Sequence, residues 1–221
     1  ICGVTGIKPT QTRVSRYGVM PLSFSADNVG PMAQTARDCA RIMSVIAGYD
    51  PRDPTSAREP VLDYEAGMDG SLNGQRIGLP TNYFLDGVDA EVLAAFEAAI
   101  AVLKARGATV VPVTIPHMEA IATYGGIVSR CEGATIHAQW LRERPDDYAV
   151  HLSSRLYPSH GIPAVYYVEA LSRRGGLLRA LGRDLFDRVD TFITPTLRIK
   201  VPTLDATDID KGTPGAIELF H

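Results

Sequence analysis

The stretch that most constrains the fold is residues 76–115, where a short apolar run, a helix-periodic run and a β-branched run follow one another. Arg76-Ile77-Gly78-Leu79-Pro80 is short and largely apolar, the pattern of a buried strand. Asp89 then stands as N-cap before Val92, Leu93, Phe96, Ile100 and Leu103, which recur at helical spacing until Gly107. Residues 108–115 (ATVVPVTI) are β-branched, with Pro112 pointing to an edge strand or a bulge. Strand, helix and strand in that order form a βαβ unit, a parallel pair joined by a right-handed crossover. The chain is therefore expected to be α/β.

Other elements are arranged around this unit. Residues 13–16 and 19–24 read as short strands or extended segments between the loop signals Lys8-Pro9-Thr10 and Gly30-Pro31. Thr35-Ala36-Arg37-Asp38 resembles a capping box with Asp in place of Glu. It opens a helix whose apolar face is Cys39, Ile42, Met43 and Ile46 and which stops at Gly48. Residues 49–73 show little periodicity and read as a long surface connection. Residues 117–142 are expected to be helical with a break at Gly125-Gly126, followed by a polar stretch to Ser159. Pro163 suits the first turn of a helix running to about Arg188, weakened at Gly175-Gly176. Residues 189–194 form a further strand, stopped by Pro195. The organisation expected is 1–56 as one core segment, 57–75 as a connection, 76–200 as the βαβ and helical region, and 201–221 as a loop or tail.

Composition narrows the function classes. The 221 residues are 45% hydrophobic and 21% charged with a net charge of −3, an ordinary globular balance without the basic footprint of a nucleic-acid or anionic-membrane binder. No apolar run approaches the ~20 residues of a membrane helix. Cys2, Cys39 and Cys131 are odd in number and include no CxxC pair, which argues against a disulfide framework or a zinc site and for a reducing cytoplasm. No GxGxxG, Walker or HExxH pattern is present. The opening run Ile1-Cys2-Gly3-Val4-Thr5-Gly6-Ile7 reads as the middle of a longer protein.

That opening run carries a specific pattern. Cys2-Gly3-Val4-Thr5-Gly6-Ile7-Lys8-Pro9-Thr10 followed by Arg13-Val14-Ser15 resembles the end of the amidase signature. The likeness continues through Arg16-Tyr17-Gly18-Val19, residues 25–33 (SADNVGPMA) and residues 47–56 (AGYDPRDPTS), and more diffusely through Arg76-Ile77-Gly78 and residues 190–196. Where the pattern has glycine before Arg13 this chain has Thr12, a change of backbone freedom rather than of chemistry.

The resemblance implies a twisted mixed sheet flanked by helices, here without its N-terminal portion and final strands. It implies hydrolysis of a small-molecule carboxylic amide through an acyl-serine, using a serine, a second serine on a cis peptide bond and a lysine. All three would lie upstream of residue 1, so no residue here is assigned catalysis. No metal or organic cofactor is implied, and neither nucleic acid nor membrane; a homodimer is left open. The glutamine amidase subunit of glutamyl-tRNA amidotransferase is a rival within the family. Its Tyr-Asp-Gly-Val-Arg-Tyr-Gly stretch is replaced here by residues 124–130 (YGGIVSR), which favours a free-standing amidase. From other classes, a ligand-binding α/β module leaves the Lys8-Pro9-Thr10 to Ser56 run unexplained. A non-catalytic structural remnant accounts for the missing triad.

Candidate pocket or supporting residues are Lys8, Arg13, Asp27, Tyr124, Trp140 and Tyr167. Lys8, next to Pro9 in a loop, reads as a donor to carbonyls rather than a base. Arg13 and Asp27 read either as pocket residues or as an ion pair or turn cap. Ser15, Ser23 and Ser25 lack a GxSxG frame and a nearby histidine. Cys131-Glu132 with His137 fits no ligand spacing and reads as a half-buried helix face. His151, His160 and His221 sit in polar stretches, and Arg173, Arg174, Arg179 and Arg183 form a solvated helix face.

Overall fold

A computed structural model of the protein describes residues 2–68 and 70–208. The tail expected at 201–221 therefore lies outside the described residues from Ile209 onward, His221 included. Two compact units divide the chain: Ile1–Gly70 with Glu132–Gln139, and Ser71–Cys131 with Trp140–His221.

In the first unit β1 (Thr5–Gly6) pairs antiparallel with β2 (Met32–Ala33), Thr5 opposite Ala33. Gly30 lets the chain close this ribbon. A Cβ there would collide with the Ile7 carbonyl oxygen, while the Ile7 amide donates to the Pro31 carbonyl at 3.0 Å. Helix α1 (Ala36–Ile46) starts at the expected cap: the Thr35 hydroxyl accepts from the Asp38 amide at 3.1 Å and donates to the Asp38 carboxylate at 2.7 Å. It buries Cys39, Ala40 and Met43, but not Ile42, which is exposed. At 100° per residue the buried arc is centred on Met43, and Ile42 falls on its rim.

Residues 13–16 form no strand beyond a single bridge of Val14 to Ala47, and 19–24 are turns and irregular backbone. Nor is the start of 49–73 only a surface connection. Asp53 and Ser56 are buried, and the Ala57 amide donates to the Thr12 carbonyl at 2.9 Å. Short polar residues satisfy backbone groups in such turns, so the segment packs without apolar periodicity.

In the second unit β3 (Arg76–Pro80) lies between two parallel neighbours. β4 (Thr109–Val113) pairs on one side with Ile77 opposite Val110, and β5 (Thr191–Phe192) on the other with Ile77 opposite Thr191. Helix α2 (Ala90–Ala105) makes the crossover and buries Phe96 and Ile100. Among the described residues β4 is an edge of this sheet, where Pro112 is accommodated. Asp89 sits at the N-cap of α2 without capping it by its side chain; its carboxylate accepts instead from the Lys200 amide at 3.0 Å. Val113, Ile115, Leu185 and Val189 form the core, with Phe84, Val111 and Phe192 against it.

Helix α3 (Met118–Glu143) runs unbroken through Gly125-Gly126, contrary to the expected break. Neither glycine takes a positive φ, so their freedom is not used and the helix absorbs its cost. The polar stretch that follows is helical too: a 3₁₀ turn (Pro145–Asp147) and then α4 (Val150–Ser159). Pro163 is the N-cap, not the first-turn residue, of α5 (Ala164–Leu181), which also crosses Gly175-Gly176 intact and continues as a π turn to Phe186. No helix among the described residues is long and apolar enough to cross a membrane.

Candidate functional site

The first unit holds a recess of about 320 Å³ walled by Arg16, Tyr17, Met20, Phe24, Asp27 and Arg52, among others. Its floor is a set of turns stitched by side chains. The Asp53 carboxylate accepts from the Arg16 amide at 2.8 Å and from the Thr55 amide and hydroxyl at 2.9 and 2.6 Å. Those three donors hold its carboxyl below the ordinary range. Asp50 is held lower still, by the Arg52 guanidinium in a two-pronged contact at 2.9 and 3.0 Å, with the Ser15 hydroxyl adding a bond at 2.9 Å. Arg52 also stands over the Tyr17 ring at 4.6 Å. The Arg16 guanidinium donates to two neutral acceptors, the Phe24 carbonyl at 3.0 Å and the Thr55 hydroxyl at 2.9 Å.

Residues 22–28, of which Phe24, Asp27 and Asn28 line the recess, are tied to Glu132 of helix α3. Glu132 is buried, and one oxygen of its carboxylate accepts from the Ser23 hydroxyl and from the Ser25 amide, the latter at 3.0 Å. The turn is closed by Asp27, whose amide donates to the Ser23 carbonyl at 3.1 Å and whose carboxylate accepts from the Leu22 amide at 2.8 Å. The Gln11 side chain donates to the Ser25 carbonyl at 2.8 Å, and the Asn28 side chain to the Pro9 carbonyl at 2.7 Å.

The sequence candidates are distributed unevenly. Asp27 lines this recess and acts as a turn cap. Lys8 and Arg13 line a separate hollow of about 510 Å³ with Met43, Leu62 and Tyr64. Among the described residues Lys8 reaches only the neighbouring Pro9 carbonyl, at 3.5 Å, while Arg13 donates to the Pro60 carbonyl at 2.7 Å and the Tyr64 hydroxyl at 2.8 Å. Tyr124, Trp140 and Tyr167 belong to the second unit and are all half-buried; the Tyr124 hydroxyl donates to Glu169 at 3.3 Å. No group of three or more His, Cys, Asp or Glu side chains is placed to hold a metal among the described residues.

Glu132 is the residue that sequence reasoning passed over. Its face neighbours Cys131 and His137 are half-buried as expected, but Glu132 itself is 3% exposed. The available signal was its position one turn beyond Val128 and beside Gly133-Ala134, which puts an acid in register with a buried face.

Comparison with known proteins extends the pattern seen in residues 1–56. A family model described as Amidase matches residues 1–215. The chain is 40% identical over 219 residues to a glutamyl-tRNA(Gln) amidotransferase subunit of Chloroflexus aggregans, covering 89% of this chain and 45% of that protein. It is 38% identical over 200 residues to an amidase of Pseudomonas putida, covering 90% and 43%. A solved structure described as a vestigial protein complex bearing on the origins of an s-triazine catabolic enzyme superposes with a TM-score of 0.81 at 28% identity, covering 92% of this chain and 43% of that one. The chain thus spans under half the length of the curated relatives it matches.

Proposed function

The chain belongs to the amidase family, and we propose that it contributes the frame of a serine-dependent enzyme that hydrolyses a carboxylic amide to an acid and ammonia or an amine. The match over residues 1–215 carries this reading. The nucleophile, the second serine and the lysine are proposed to lie outside these 221 residues. Three observations support that placement. The Ser15 hydroxyl is committed to Asp50. Ser23 is 2% exposed, so no substrate carbonyl reaches its oxygen. Among the described residues Lys8 bonds a carbonyl and no serine. A serine attacks an amide only where a base can take its proton and the carbonyl can approach to about 3 Å, and burial denies Ser23 that approach.

The residues of this chain would then bind and orient. The recess between Tyr17, Phe24 and Arg52 is the proposed place of the substrate's side group, with Asp27 and Asp53 holding its walls rather than exchanging protons. The test is direct. This polypeptide expressed alone should neither react with a fluorophosphonate nor turn over amides, while the intact protein does both. Labelling of any serine in residues 1–221 would overturn the placement of the nucleophile.

The 40% identity to an amidotransferase subunit supports a second reading, a subunit that releases ammonia from glutamine. Ammonia release from glutamine, but not from simple amides, would favour that role over a free-standing amidase.

A further inference from the structure

The contact between Glu132 and residues 23–25 has a consequence for what the recess accepts. Ser23 and Ser25 flank Phe24, and both donate to the same Glu132 oxygen, one through its side chain and one through its backbone. A carboxylate bonded to residues on either side of Phe24 fixes the backbone there more tightly than either bond alone. Phe24 itself lines the recess and is 55% exposed, and its carbonyl orients the Arg16 guanidinium on the neighbouring wall. Tyr17 and Met20, 58% and 62% exposed, line the same hollow. Large apolar side chains left this open around one concavity, with polar groups beside them, form a surface for a flat apolar ligand.

We propose that Glu132 is a positioning residue: through Ser23 and Ser25 it sets Phe24 in the wall of the recess and so selects amides whose acyl group is aromatic. This rests on the recess being the place of the substrate's side group. Glu132 touches no substrate in this account. It acts through the loop it holds, and the ring of Phe24 makes the contact.

The experiment uses the intact protein and its Glu132→Gln and Phe24→Ala variants. Glutamine keeps the shape and one acceptor of glutamate but loses the charge, so the fold is retained while the clamp weakens. Benzamide and acetamide are the probes, with binding followed by ligand-observed NMR, turnover by product release, and the Ser25 amide by hydrogen exchange. Expected for Glu132→Gln are an unchanged cooperative melt, exchange at Ser25 faster by about tenfold, and benzamide binding weakened about tenfold with acetamide binding unchanged, the scale of one lost charge-assisted bond. Phe24→Ala should reproduce the loss of benzamide preference without the change at Ser25. Equal weakening for both amides, or unaltered Ser25 exchange, overturns the proposal and leaves Glu132 a structural residue. Should Glu132→Gln not fold, Ser23→Ala removes one arm of the clamp and must give the same selectivity shift for the proposal to stand. Were the wild-type protein to bind benzamide in preference without hydrolysing any amide, the amidase reading would fail while the role of Glu132 stood. Were Phe24→Ala alone to leave the preference intact, the recess would not be the substrate's place, and the proposal would fail with it.

Discussion

The amide of Ala57 donates to the carbonyl of Thr12 at 2.9 Å, and Thr12 presents that carbonyl from a left-handed backbone at φ 75°. Its neighbours are fastened too: the Arg13 carbonyl accepts from Gly48, and Val14 bridges Ala47. The position therefore keeps the backbone a glycine takes without strain, although a β-branched residue occupies it. Thr12→Gly should stabilise the first unit by about 1 kcal/mol, the left-handed penalty less the entropy that glycine adds to the unfolded chain. Urea unfolding would measure this, and Thr12→Ala, still strained, should show little gain.

Gly30 makes the opposite prediction. Gly30→Ala would drive a methyl group into the backbone at Ile7, an overlap that no side-chain rotation relieves. The pairing of β1 with β2 must open, and a loss of about 3 kcal/mol is expected. A lowered urea midpoint with unchanged slope would be the signature.

The two helical glycine pairs are predicted to be improvable. A Cβ at Gly125 or Gly176 meets nothing within 4 Å, and neither residue has a positive φ. Gly125→Ala and Gly176→Ala should each stabilise by about 0.5–1 kcal/mol through the lower entropy of the unfolded chain. Thermal unfolding would register both, and a fall in Tm for either would mean that the glycine is needed for a close approach.

Acid should weaken the floor of the recess. Asp50 and Asp53 are both held below the ordinary value of 3.8, by Arg52 and by the Arg16 and Thr55 donors respectively. A carboxyl depressed in the folded state contributes its stability above the unfolded value. It begins to lose that contribution as pH falls below 3.8, and has lost all of it once the folded value is passed. Unfolding followed from pH 6 to about pH 2 should show that decline, and Asp50→Asn should flatten it.

How much of the fold and the site could be read from the chain alone follows from the range of the interactions involved. The β3–α2–β4 unit and the Thr35 cap rest on local periodicity and capping chemistry, which determine them. The Lys8-Pro9-Thr10 run likewise carried its family in the order of its residues. The tertiary structure decided what depends on distant partners. Whether Gly125-Gly126 breaks a helix is settled by whether anything uses the freedom of glycine, and nothing does. Whether Asp89 caps α2 is settled by competition from the Lys200 amide, 111 residues away. Glu132 reads in its own stretch of sequence as part of a half-buried helix face and becomes a buried anchor because Ser23 and Ser25, more than a hundred residues earlier, fold onto it. Burial of a charge requires partners that neutralise or bond it, and partners at that separation leave no periodic trace in a single sequence.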